Sequence, residues 1–116
     1  MKLVLPFPPS MNRLWRTTIR AGFAHTYTSQ EAKAYKELCF WTAKQQWAKV
    51  LTGDVIMRGT IYFPNKRGDL TNRIKILEDA LEGACYENDR QVVRIDISRA
   101  IDKEDPRVEL DISEAI

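Results

Sequence analysis

Hydrophobic and polar positions divide the chain into short alternating runs and two helical ones. Residues 2–7, KLVLPF, read as a strand stopped by proline. The run P-P-S-M-N-R (8–13) is an extended turn, because proline disfavours helix in the residue before it. Residues 14–28 are basic and aromatic around Gly22, which suits a mobile loop or β-ribbon. Ser29 is an N-cap candidate for a helix from about Gln30 to Val50. Its apolar residues, Tyr35, Leu38, Phe40, Trp41, Trp47 and Val50, cover a wider arc than one packed face needs. Residues 54–63 alternate, with Val55, Met57, Ile61 and Phe63 on one side. A polar turn (64–68) leads to a second helix from about Asp69 to Glu82, closed by Gly83 as the C′ residue. At about 100° per residue, Leu70, Ile74, Leu77 and Leu81 form one stripe, while Thr71, Asn72, Lys75, Glu78, Asp79 and Glu82 take the opposite arc. Arg73 alone breaks that division. A loop (85–90) precedes a strand (91–99) with Val93, Ile95 and Ile97 alternating. A turn around Asp105-Pro106 introduces a last strand, with Val108, Leu110 and Ile112 sharing a face.

The order β-α-β-α-β-β predicts an α+β fold in which two helices pack on one mixed sheet. At 116 residues, without repeats or a linker, the chain reads as one domain spanning 1–116. Its 44% hydrophobic and 29% charged residues are those of an ordinary soluble protein. No apolar run reaches the roughly 18 residues that cross a bilayer, and the proline-broken N-terminus does not read as a signal peptide. The expectation is a cytoplasmic protein with no membrane partner. Cys39 and Cys85 lie far apart and read as buried reduced thiols. With His25 the single histidine, a His-rich zinc site and a Ser-His-Asp hydrolase are excluded.

The net charge of +2 conceals an asymmetry. Residues 1–53 hold eight Lys/Arg against two Asp/Glu, and residues 54–116 hold ten against fourteen, giving +6 and −4. A basic half beside an acidic half suits a phosphate-contacting surface next to gathered carboxylates, although scatter in a short chain produces the same numbers.

Candidate chemistry concentrates in residues 66–75 and 87–92. Asp69 opens the second helix after a basic turn, and Asp89 closes a loop just before a strand. Two adjacent element ends could bring these carboxylates together at one edge of the sheet. Mg²⁺ often takes only one or two carboxylates, with water and substrate phosphate completing its shell. So held, it would polarise a phosphodiester, and Lys75 would add positive charge at the scissile phosphate. The same residues also have plainer uses: Asp69 as an N-cap, Asp89 as a turn residue, and Lys75 as an i,i+4 partner of Asp79.

Several separated motifs in register resemble the RusA family of Holliday junction resolvases, small nucleases frequent in phages and prophages. The family combines P-P-S-x-N-R near the N-terminus, a D-x-D-N-x-x-K helix start, a D-A-L-x-G helix end and a later D-x-Q-V. The corresponding residues are Pro8 to Arg13, then Asp69, Asn72 and Lys75, then Asp79 to Gly83, then Asp89, Gln91 and Val92. The agreement covers nearly the whole chain. It implies a Mg²⁺-dependent (or Mn²⁺-dependent) hydrolase that cuts four-way DNA in pairs, leaving a 5′-phosphate and a 3′-hydroxyl. It further implies metal-binding Asp69 and Asp89, catalytic Lys75, and Asn12 and Arg13 near the DNA. Thr71 departs from the pattern, standing where the family has its second helix-start aspartate. That leaves three readings: a weakened nuclease, a junction binder that does not cut, or a substitution that traps an inactive form. Glu87 and Asn88 are candidate substitutes for the lost oxygen, although Glu87 also reads as a solvated loop residue.

A small nuclease holds branched DNA by surface contacts with phosphates. Arg13, Arg16, Arg20, Lys66 and Arg67, all in predicted loops, are the candidates, with Asn72 beside them on the helix. Trp15 and Phe23 can stack on exposed bases or fill the core. Paired cuts in a near-two-fold junction suit a C₂ homodimer, for which the wide apolar arc of the first helix offers a surface.

Overall fold

The computed structural model describes residues 2–9, 24–46 and 49–115. Four strands and two α-helices follow one another as β1 (Lys2–Pro6), α1 (Ala24–Gln46), β2 (Val55–Phe63), α2 (Leu70–Leu81), β3 (Val92–Ile101) and β4 (Arg107–Glu114), with a 3₁₀ turn at Asp89–Gln91. The strands form one mixed sheet in the order β1-β4-β2-β3, so the last strand lies inside it. β4 runs antiparallel to both neighbours, and β2 and β3 run parallel through the α2 crossover. This is the α+β arrangement expected from the alternation.

The register explains the core. Leu3 pairs with Leu110, Leu5 and Ile61 with Val108, and Met57 with Ile112, so each strand turns its apolar set to the same side. There they meet Tyr35, Cys39 and Ala43 of α1 and Ile76, Leu77, Ala80 and Leu81 of α2, all buried. Both cysteines are free and buried, as expected. Between β2 and β4 the backbones close on Gly59, where a Cβ would stand 2.1 Å from the Glu109 carbonyl oxygen. α2 ends as its sequence indicates, with Gly83 at φ +89 beyond it.

Three expectations need correction. The segment 14–28 is not loop throughout, because α1 is described over Ala24–Gln46 with Ser29 inside it, and Lys49 and Val50 are not helical. The buried face of α1 repeats every four residues at Tyr35, Cys39 and Ala43, while Leu38 and Trp41 are exposed, so local capping signals lose to tertiary packing. In β3, Ile97 packs on the core, but Val93 and Ile95 are 55% and 41% exposed. β3 is an edge strand that the helices do not fully cover, and alternation alone cannot tell an edge from a centre. On the opposite edge the Gln46 side chain exchanges two 2.9 Å hydrogen bonds with the backbone of Val4, covering β1 at that residue.

Arg73, the exception on the apolar side of α2, has a clear structural role. Its guanidinium lies 4.6 Å from the Phe7 ring centroid and 5.5 Å from that of Phe63, and it donates to the Pro8 carbonyl. It thereby fixes the segment leaving β1 against α2.

Candidate acidic site

Asp69 is the N-cap of α2: its Oδ1 accepts from the Thr71 backbone N–H at 2.9 Å, and its Oδ2 from Asn72 Nδ2 at 3.3 Å. The plainer reading of Asp69 therefore describes what its carboxylate does here. Lys66 and Arg67 lie exposed in the preceding turn. Arg99 holds that turn from below, donating to the carbonyls of Gly68 and Arg67 while stacking 4.0 Å from the Phe63 centroid.

The carboxylates gather at the other end of the helix. Among the described residues, Glu78, Asp79 and Asp89 form a group whose ligand oxygens lie within 4.8 Å of one another. Asp69 is outside it, about 15 Å back from Asp79 along the axis at 1.5 Å rise per residue. Thr71 lies about 10 Å back from Glu78 by the same measure. Lys75 belongs to the acidic end, with Nζ 3.3 Å from Asp79 Oδ1. The chain thus brings Lys75 to Asp89, and groups Asp69 with Thr71 and Asn72. Asn12, Arg13 and Arg16, with Trp15, Arg20 and Phe23, lie outside the described residues.

Asp89 reaches the group through a tightly tied loop. Tyr86 is buried and donates its hydroxyl to the Glu78 carbonyl, anchoring the loop to α2. The Leu51 N–H donates to the Cys85 carbonyl at 2.9 Å. The Asp89 N–H donates to the Glu82 carboxylate at 3.1 Å. Asn88 caps the 3₁₀ turn, its side chain accepting from the Arg90 N–H, and Glu87 is exposed. The carboxylates grouped with Asp89 are Glu78 and Asp79, not Glu87.

Electrostatics follow from the crowding. Burial raises the Glu78 carboxyl above the ordinary carboxylate range, with Asp89, Asp79 and Glu82 adding to the effect and Lys75 opposing it. The Lys75 ammonium is held above its usual value, mainly by the charge and hydrogen bond of Asp79, and further by Glu78 and Asp89. Three hard oxygen donors within 4.8 Å of one another suit a small divalent cation, whose octahedral shell spans about 4 Å between opposite ligands.

Sequence reading names Asp89 and Lys75 as candidates and leaves Glu78 and Asp79 on the polar arc of the helix. The available signal was the helical spacing that puts Lys75, Glu78, Asp79 and Glu82 on one side, next to a tight turn at Gly83.

The architecture and site define a small α+β protein with an open carboxylate–lysine surface at one end of α2 and a basic turn at the other. Residues 6–113 match the family model of endodeoxyribonuclease RusA. The chain belongs to the RusA endodeoxyribonuclease family, and is thereby placed among enzymes that cut DNA internally. A comparison with curated proteins finds no match. Among the described residues, no helix is long and apolar enough to cross a membrane.

Proposed function

We propose that this chain is a divalent-metal-dependent endonuclease that resolves four-way DNA junctions as a homodimer, and that it cuts despite Thr71. One observation carries the reading: Glu78, Asp79 and Asp89 offer three mutually close carboxylates without any contribution from position 71. Mg²⁺ or Mn²⁺ held there would supply Lewis-acid stabilisation to a scissile phosphate. Lys75 sets a positive charge beside the same carboxylates, where it can meet the charge that grows on the phosphate. Lys66 and Arg67 would hold the DNA backbone at the far end of α2, with Asn72 close by, and Asn12, Arg13 and Arg16 would extend that contact. The sequence alone pairs Asp69 with Asp89 as ligands; the helix rise between the two ends of α2 favours Glu78 and Asp79 as partners of Asp89.

The alternative, a junction binder without cleavage, draws its support from Thr71. Labelled four-way junction with and without Mg²⁺ separates the two. Symmetric nicks that need the metal support the enzyme, and a gel shift without nicks supports the binder. Manganese titration of Asp79→Asn and Asp69→Asn then assigns the ligands. Loss of binding in the first with retention in the second is expected, and the reverse would return the site to Asp69.

A further inference from the structure

We infer that Gln91 is a positioning residue for Asp89. A glutamine amide has two donor hydrogens and two acceptor lone pairs, and Gln91 uses all four on backbone atoms. Its Oε1 accepts from the N–H groups of Glu87 at 2.8 Å and Asn88 at 2.9 Å. Its Nε2 donates to the carbonyls of Leu51 at 2.9 Å and Gly53 at 2.8 Å. One side chain thus clamps the two residues before Asp89 to the segment that enters β2. The Asp89 N–H is tied separately to Glu82 of α2. One tie thus comes from the segment before β2 and the other from the helix that carries Glu78 and Asp79. Carboxylates that repel one another move apart unless the backbone beneath them is held, and Gln91 supplies that hold without adding charge.

Its nearest replacements do not reproduce this geometry. Glutamate keeps the acceptors but turns a carboxylate oxygen toward the Leu51 and Gly53 carbonyls and adds charge beside Asp89. Methionine keeps the length and loses all four bonds. Asparagine is one methylene too short to span the gap.

The inference rests on the metal-dependent reading, and the experiment separates the two. Gln91→Met and Gln91→Glu are compared with the unaltered chain in three measurements: Mn²⁺ binding by calorimetry, four-way-junction binding in EDTA, and cleavage across a Mn²⁺ series. Loss of an outer-shell tie weakens metal binding by about 10–100-fold. The expected result is a Mn²⁺ midpoint raised by that factor, junction binding in EDTA within about threefold, and cleavage recovering as Mn²⁺ rises. An unchanged Mn²⁺ midpoint would overturn the inference. So would junction binding and melting temperature falling together, or failure of both variants to fold, since each marks a purely structural role. If the unaltered chain binds no Mn²⁺, the metal reading fails and takes this inference with it.

Discussion

Lys75 and Asp79 stand one helical turn apart with Nζ 3.3 Å from Oδ1, each side chain about half exposed, at 51% and 49%. So exposed an i,i+4 pair contributes about 0.3–0.5 kcal/mol to folding. Lys75→Met is therefore expected to shift the unfolding free energy by no more than about 0.5 kcal/mol. Junction cleavage should fall by about two orders of magnitude or more, as when one stabilising donor is removed from a reaction centre. Urea titration and single-turnover cleavage check the two halves. A stability loss matching the activity loss would make Lys75 a structural residue.

Thr71→Asp tests whether the site needs the carboxylate that the motif resemblance leads one to expect at this position. The change puts a negative charge in the first turn of α2, worth about 0.3–1 kcal/mol of added stability. Because Thr71 lies far from Glu78 along the axis, cleavage should stay within a few-fold. A gain of more than tenfold would show that position 71 belongs to the metal site.

Arg73 makes a different kind of contribution, between two rings and a carbonyl. Arg73→Ala removes two cation–π contacts and a charged hydrogen bond, and is expected to cost about 1–3 kcal/mol. Arg73→Lys should restore little of this, because an ammonium lacks the planar, multi-donor group that reaches both the Phe7 and Phe63 rings while bonding Pro8. Chemical denaturation of both variants measures the difference, and full recovery in the lysine variant would refute the geometric argument.

The corner between β3 and β4 gives a pH dependence. Asp102 accepts from Arg107 at 2.8 Å, and that bond, with the backbone N–H groups of Asp105 and Glu104, holds its carboxyl below the ordinary 3.8. A depressed folded-state value means stability that is present above the unfolded value and lost as pH falls through the folded one. Asp102→Asn should therefore melt below the unaltered chain at neutral pH, and the gap should narrow as pH drops below about 3.8. Melting curves that stay parallel down to strong acid would remove this role.

Much of this architecture is legible in the sequence where one residue type has one physical use. Asp69 caps α2, Gly83 ends it, and the Leu70–Ile74–Leu77–Leu81 stripe faces the core. The site is less legible. Glu78 and Asp79 look like solvated helix residues until the Asp89 loop is folded back against them, a contact made by Tyr86 on Glu78 and Glu82 on Asp89 that periodicity does not encode. Asp69 and Asp89 look like partners because each ends an element, whereas the carboxylates grouped with Asp89 are Glu78 and Asp79, at the other end of α2 from Asp69. Val93 and Ile95 alternate as core residues do, and only the strand order reveals that β3 is an edge.

That strand order also governs how the protein is made. β4 separates β1 from β2, so Leu3 and Leu5 have no neighbouring strand until residues 107–111 have left the ribosome. Every candidate site residue is synthesised before then, yet the sheet beneath them is missing its inner strand. A stop codon just after β3 would spare the chemistry on paper and yield a chain with nothing to lay it on.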